Sequence, residues 1–159
     1  MDSCLTRAMT SLLVQNKQIE SELESFRREL RRDLRELPHR FTRVVQYVQD
    51  HLFDPSLNVS SIKRHCRIRD NNFSILFRSA VGVTPRVYIE ALRIDAADYL
   101  LKRGDFEVYL IAMAVGYSHQ ETFFRAFHRR FGCPPSNRRY RSMGGRKDVR
   151  ANCKEETES

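Results

Sequence analysis

One helical segment near the C-terminus carries side chains that could pair with nucleic-acid bases. Three phenylalanines, Phe123, Phe127 and Phe131, are spaced by four, which predicts one buried stripe on a helix. The other faces present amide, carboxylate and guanidinium groups, whose donors and acceptors match base edges in the major groove of duplex DNA. A solvated helix face without a partner is the alternative interpretation of this pattern. The candidate base-contacting residues are Gln120, Glu121, Phe124 and Arg125.

Basic and hydroxyl side chains suit phosphates, which they contact without regard to base sequence. The chain has 28 Lys and Arg against 20 Asp and Glu, a formal net charge of +8. Counted along the sequence, +7 of this charge falls in residues 41–141. The distribution favours a polyanionic partner for that region. The candidate phosphate-contacting residues are Arg69, Arg78, Ser118, His128, Arg129, Arg130 and Arg139.

A short apolar helix and a glycine turn precede the phenylalanine stripe. Gly116 stands where a helix commonly ends in a left-handed residue. We expect Ser118 to cap the next helix, which would begin at His119, and Glu121 to complete a capping box. Residues 111–131 are therefore predicted to form a helix-turn-helix, here called the second unit.

A dozen residues of this region match the pattern of a known family in register. They are Ile111, Ala112, Gly116, Tyr117, Ser118, Phe123, Arg125, Phe127, Phe131, Gly132, Pro135 and Arg139. From Leu57 to Arg139 the chain thus resembles the C-terminal DNA-binding domain of the arabinose-operon regulator (AraC/XylS-type) family of bacterial transcription factors. The resemblance implies two helix-turn-helix units whose recognition helices enter successive major grooves on one face of double-stranded DNA. It also makes RNA polymerase a candidate partner.

The same resemblance implies a first unit upstream, joined to the second by a long helix. A cap at Thr84 followed by proline predicts the start of that connecting helix, and Gly104 predicts its end. Asn58 is the expected cap of the first unit, whose recognition helix is expected over Asp70 to Ser79. A further apolar helix is expected over residues 41–52.

The first unit departs from the family pattern at positions that bear on base contact. Arg67 stands at the turn position usually held by glycine, and Ile75 replaces an exposed arginine often used to contact bases. Asn71 and Ser74 are the remaining candidate base-contacting residues of this unit. We therefore expect the second unit to carry most of the sequence specificity. In the last helix, Arg138 stands where an aromatic residue is usual.

The first 40 residues have apolar side chains that repeat every seven positions in two offset series, the pattern of a coiled-coil seam. We expect a homodimer through residues 5–37, with Glu22 and Arg27 paired between chains and Pro38 ending the helix. The alternative is an amphipathic helix that folds back onto its own domain. The predicted seam residues are Met9, Leu12, Asn16, Ile19, Leu23, Phe26 and Leu30.

These elements predict an all-α fold of two helix-turn-helix units joined by a linker helix and preceded by an amphipathic helix. The expected divisions are residues 1–40, a DNA-binding domain at 41–141 and a disordered tail at 142–159, since the tail has almost no apolar residues.

Catalysis, cofactors and membranes are not indicated. The four cysteines form no C-x-x-C pair and give no metal-ligand spacing with the five histidines. No phosphate loop or nucleophile motif occurs, so we expect no enzyme and no cofactor. The sequence has no apolar run of membrane-spanning length and no signal-peptide core, so we expect the bacterial cytoplasm, at the nucleoid.

The expected function is sequence-specific binding of duplex DNA in the regulation of transcription. The alternative is a helical interaction module that has kept the fold, has lost specific DNA recognition and acts through heterodimerisation. RNA binding is disfavoured, because the aromatic residues lie on predicted buried stripes rather than on an exposed stacking platform.

Overall fold

The computed structural model describes the backbone of residues 2–30 and 37–142 and the side chains of residues 9–30 and 37–139. These residues contain helices and turns only, which confirms the all-α prediction. The tail expected to be disordered lies, from residue 143 onward, outside the described residues. The helices are α1 (Asp2–Leu30), α2 (His39–Asp50), α3 (Val59–His65), α4 (Phe73–Val81), α5 (Pro85–Arg103), α6 (Val108–Ala114), α7 (Gln120–Phe131) and α8 (Pro135–Ser142).

The connecting helix α5 lies at the centre, packed against α1, α4, α6, α7 and α8. The Thr84 hydroxyl accepts a hydrogen bond from the Val87 N–H at 3.5 Å, proline occupies the first turn and the helix ends at Gly104, all as predicted. At 1.5 Å per residue, its 19 residues span roughly 28 Å. In the chain, α5 joins the first unit, α3–α4, to the second unit, α6–α7.

The second helix of each unit, α4 in the first and α7 in the second, is held by phenylalanines in the core. Phe123 and Phe127 are fully buried and Phe131 is 5% exposed, which confirms the predicted stripe on α7. Phe73 and Phe77 play the same part in α4, with 2% and 0% exposure. Helices α4 and α7 are thus each fixed by one face and leave the other to solvent.

The predicted seam between chains is wrong for the C-terminal half of α1. Ile19, Leu23 and Phe26 are 1%, 6% and 9% exposed within a single chain, because α1 packs on α5 and α6. The Phe26 ring meets the Tyr99 ring of α5 edge-on, with centroids 5.4 Å apart. Leu30 also packs against this core. Apolar side chains buried in this way cannot join two chains while α1 stays in place.

The charged residues predicted to pair between chains find partners within the chain. Glu22 pairs with Arg103 of α5 at 3.5 Å, and Arg27 pairs with Glu24 of its own helix at 3.4 Å. The N-terminal half of the predicted seam remains on the surface. Its exposed residues are Met9, Leu12 and Asn16, and Leu13 and Val14 are exposed beside them.

The predicted cap of α7 is also wrong. The residue at the N-cap is His119, and α7 begins at Gln120 with no hydrogen bond from a described side chain to its first turn. Ser118 lies one residue before the cap position and Glu121 one residue before the third helical position, so the expected capping box cannot form. The first N–H groups of α7 are left without an intrahelical partner.

Two other boundaries differ by a few residues. Helix α4, expected over Asp70 to Ser79, begins at Phe73, because the Asp70 carboxylate accepts a hydrogen bond from the Asn72 N–H at 2.7 Å and stabilises a turn there. Helix α2 ends at Asp50, and Leu52 is buried in the following turn. Local side-chain to backbone bonds of this kind are not visible as periodicity.

Candidate nucleic-acid interface

The solvent face of α7 carries the predicted base-contacting residues. Gln120, Glu121 and Arg125 are all exposed. Glu121 and Arg125 lie on the side of α7 away from the buried stripe, whereas Gln120 is exposed at the first position of the helix. Phe124 is half-buried, and its ring meets the Phe123 ring at a centroid distance of 5.9 Å. Three of the four side chains are therefore accessible, whereas the fourth packs in part against the core.

The turn before α7 requires glycine for two separate reasons. Gly116 has a φ of 92°, in the left-handed region. A Cβ at this position would lie 3.0 Å from the Phe53 carbonyl oxygen and 3.0 Å from the Arg93 Cζ. The next residue, Tyr117, is 8% exposed and packs beneath the turn.

Arg93 of α5 connects this turn to the loop between α2 and α3. Its side chain is buried and donates hydrogen bonds to the carbonyls of Leu52 at 2.8 Å and Asp54 at 2.6 Å. Burial lowers the pKa of the Arg93 guanidinium, opposed by attraction from Tyr117 and Asp54, but a guanidinium stays charged in proteins. Arg93 thereby fixes the start of the first unit relative to the turn of the second.

Burial also raises the pKa of Tyr117 to about 12, with a smaller contribution from Glu90. Among the described residues, the Tyr117 hydroxyl has no hydrogen-bond partner. The Arg93 guanidinium lies over its ring, 6.0 Å from the centroid. Tyr117 contributes a packed ring to the turn, rather than a hydrogen bond.

The first unit begins as predicted and turns without glycine. The Asn58 side chain accepts from the Ser61 N–H at 2.9 Å, and the Ser61 hydroxyl accepts from the Asn58 N–H at 3.0 Å, a complete capping box. Arg67 occupies the turn with a φ of 55°, which is uncommon for a residue with a side chain. Asn71 is exposed in the turn before α4, and Ser74 is half-buried in its first turn.

Helices α4 and α7 share one spacing of buried phenylalanines. Ile75 lies two residues after one buried phenylalanine and two before the next, between Phe73 and Phe77. Arg125 holds the same place in α7, between Phe123 and Phe127. Ile75 is 66% exposed, so an apolar side chain occupies the outward position that an arginine holds in the second unit.

Three predicted phosphate-contacting arginines already have carboxylate partners. Arg129 pairs with Glu90 at 2.5 Å, and Arg130 pairs with Asp95 at 3.3 Å. Both carboxylates belong to α5, so these pairs connect α7 to the central helix. The third, Arg139, pairs with an aspartate of the loop after α5 at 3.0 Å and donates to the Phe106 carbonyl.

The remaining phosphate candidates are differently placed. Arg69, Arg78, Ser118 and His128 are exposed. Within the described ranges, no ion pair includes Arg69 or Arg78. The cations of the first unit are thus the more accessible ones, although the sequence gives no sign of this difference.

A buried carboxylate, which the sequence analysis missed, holds the last helix. Asp98 of α5 is 7% exposed and pairs with Arg138 of α8 at 2.7 Å and with Lys102 at 2.5 Å. The Arg138 guanidinium also lies over the Phe131 ring at 4.6 Å. Arg138 thus anchors α8 by a charge pair where the family usually has an aromatic residue. Helical spacing offered a signal, since Arg93 and Asp98 each follow a buried isoleucine by four residues.

Two other kinds of site find no support. Among the described residues, no three side chains of His, Cys, Asp or Glu are placed to hold a metal ion. None of the described helices is long and apolar enough to cross a membrane.

Comparison with known proteins identifies the family of this domain. A family model described as a helix-turn-helix domain matches residues 64–141. The HTH-type transcriptional regulator ExsA of Pseudomonas aeruginosa is 35% identical over 118 residues, which are 74% of this chain and 41% of that protein. The arabinose operon regulatory protein of Escherichia coli is 29% identical over 100 residues, 63% of this chain and 34% of that protein. The chain thus spans about two fifths, or less, of the length of these relatives.

Solved structures agree with the fold. The C-terminal domain of AraT, a response regulator from Geobacillus stearothermophilus, superposes with a TM-score of 0.63 at 23% identity over 71% of this chain and 92% of that one. The DNA-binding domain of AdpA, a global transcriptional factor solved in complex with a target DNA, gives a TM-score of 0.60 at 24% identity over 65% of this chain and 95% of that one. Through residues 64–141, the chain belongs to the arabinose-operon (AraC-type) family of helix-turn-helix proteins.

Proposed function

We propose that this protein binds a specific sequence in duplex DNA and regulates transcription, with α4 and α7 in adjacent major grooves and α7 dominant. The observation that carries the proposal is the polar face of α7, exposed along its length and held by a buried phenylalanine stripe. The relatives are transcriptional regulators, and one structural neighbour was solved on its target DNA.

Each base-contacting residue of α7 has a defined chemical preference. Arg125 would donate a bidentate pair to guanine O6 and N7, Gln120 would pair with adenine, and Glu121 would accept from the cytosine amino group. The start of α7 has no side-chain cap, so its free N–H groups and the nearby Ser118 hydroxyl suit a phosphate of the same groove. Positioning and base contact would then come from one helix.

The proposed phosphate contacts are strongest in the first unit. Arg69 is exposed before α4 and Arg78 is exposed within it, and among the described residues neither has a carboxylate to displace. Arg129 and Arg130 would exchange an exposed ion pair, worth ~0–1 kcal/mol, for a phosphate. Arg139 has 19% side-chain exposure and two partners, so its transfer to a phosphate is disfavoured.

Selection of duplexes from a randomised pool, followed by fluorescence anisotropy on the selected site, tests the function. Replacing Arg125 with alanine should weaken binding by about 5- to 150-fold and relax one base position, since a good bidentate contact contributes ~1–3 kcal/mol. Gln46→Ala, an exposed change on α2, serves as the matched control. Unchanged affinity of the Arg125 variant would contradict the role of α7.

We also propose a homodimer, restricted to the N-terminal half of α1. Met9, Leu12 and Asn16 keep coiled-coil spacing on an exposed surface, with Leu13 and Val14 beside them. A second copy would bury these apolar side chains, over a seam shorter than the one expected from sequence. Light scattering over a concentration series should show a weak dimer, abolished by Leu12→Glu and kept by Ser21→Glu. A monomer at every concentration would contradict the proposal.

The interaction module that has lost DNA recognition is the second candidate, favoured by the same exposed apolar surface on α1. In that case the duplex selection would enrich no sequence, and retention of DNA would be weak and sensitive to salt for every duplex. Partner capture through α1 would still occur. The selection experiment therefore separates the two functions.

A further inference from the structure

The outward position of α4 holds an apolar side chain in an otherwise polar setting. Ile75 is 66% exposed, although isoleucine is among the residue types most often buried. All of α4 is described, and Ile75 is its one exposed large hydrophobic residue. In the shared spacing of buried phenylalanines it corresponds to Arg125, the proposed base-contacting residue of the second unit.

The neighbours of Ile75 indicate a negatively charged ligand with a local apolar group. Arg78 lies three residues further along the same helix and is exposed, and Asn71 lies four residues before Ile75. Arg69 and Arg67 are exposed in the preceding turn. One apolar contact flanked by cations is too small for a protein interface core, but it fits the major groove of DNA. There the C5 methyl group of thymine is the apolar group, and phosphates line both sides.

We propose that Ile75 recognises a thymine methyl group in the part of the site that the first unit contacts. This inference rests on the proposed binding of duplex DNA and specifies its chemistry. The first unit then selects A·T pairs by apolar contact, whereas the second selects bases by hydrogen bonding. Uracil, which lacks the methyl, is discriminated against at the same position.

The test replaces each thymine of the selected site in turn by deoxyuridine, which removes the methyl and leaves the hydrogen-bonding edge of the base unchanged. At one position in the first unit's half, affinity should fall by about 4-fold, as expected for one buried methyl group. In the Ile75→Ala variant, thymine and uracil at that position should bind equally. In Arg125→Ala, the thymine preference should persist, although overall affinity is lower.

Thermal melts by circular dichroism check that Ile75→Ala is folded, and Val87→Ala, another exposed apolar change, is the matched control. If uracil is tolerated at every position of that half, or if the preference for thymine survives in Ile75→Ala, the inference is wrong while DNA binding stands. If the selection yields no preferred duplex, the proposed function fails and this inference fails with it. If Ile75→Ala loses a protein partner instead of the methyl preference, the surface is a protein interface and the inference is overturned.

Discussion

Replacing Gly116 with alanine should destabilise the protein by ~2–4 kcal/mol, well beyond the cost of the same change at Gly82. The two glycines have nearly equal φ angles of 92° and 91°. Both alanines therefore meet the left-handed penalty of ~1–2 kcal/mol, partly offset by ~0.4–1 kcal/mol from the smaller conformational freedom of the unfolded chain. The backbone effect alone is thus ~1 kcal/mol at each site.

The surroundings of the two glycines differ. A Cβ at Gly82 has nothing within 4 Å, whereas a Cβ at Gly116 lies 3.0 Å from the Phe53 carbonyl oxygen and 3.0 Å from the Arg93 Cζ. The first neighbour is backbone, and the second is a buried guanidinium held by two carbonyls. Moving either group would shift the backbone or weaken the hydrogen bonds of Arg93. This overpacking should add ~1–3 kcal/mol to the destabilisation at Gly116.

Urea unfolding followed by circular dichroism compares the parent, Gly82→Ala and Gly116→Ala. A fall in the urea midpoint at constant slope reports a loss of stability. In a thermal melt of a chain of this size, each kcal/mol of destabilisation should lower the melting temperature by about 2–4 °C. If the free energies of unfolding of the two variants differ by less than ~0.5 kcal/mol, the left-handed backbone conformation alone accounts for the destabilisation of both. The inferred crowding of the turn by Arg93 would then be refuted.

Arg67→Gly should stabilise the protein by ~0.5–1 kcal/mol, because glycine adopts the left-handed turn without the side-chain penalty, while Arg67→Ala should change little; equal stabilities in urea would contradict this. Arg138→Ala should cost ~1–3 kcal/mol in thermal melts, since it leaves the buried Asp98 with Lys102 alone, and adding Asp98→Asn should recover part of the loss. Tyr117→Phe should be neutral near pH 7. The pKa of Tyr117 is raised to about 12, so its stabilising contribution is complete below pH 10 and is lost as the pH rises through 12. Urea unfolding across this range should show a smaller loss of unfolding free energy for Tyr117→Phe than for the parent.

Much of the fold could be predicted from short-range sequence patterns. The cap at Thr84, the glycine turn at Gly116 and the four-residue spacing of Phe123 and Phe127 each specify backbone or burial within a few residues of themselves, and the structure confirms them. The capping box at Ser118 shows the limit of such signals. A one-residue shift of the helix start removes it, and spacing cannot decide between adjacent cap residues.

Partners distant in sequence could not be inferred in the same way. Arg93 bonds to carbonyls about forty residues away, and Asp98 pairs with Arg138 at a similar separation. In each case the sequence shows a charge on an apolar face but not its partner. The heptad pattern of α1 had the same limitation, because Ile19 and Phe26 suit a second chain and the chain's own core equally well.

The central claim is that the solvent face of α7 enters the major groove. A photo-crosslinking amino acid in place of Thr122, an exposed residue of that face, tests it on the selected duplex. We expect crosslinks confined to the bases that Arg125→Ala relaxes, and none from the same probe at Gln18, exposed on α1. Crosslinking from Gln18 with none from Thr122 would contradict it.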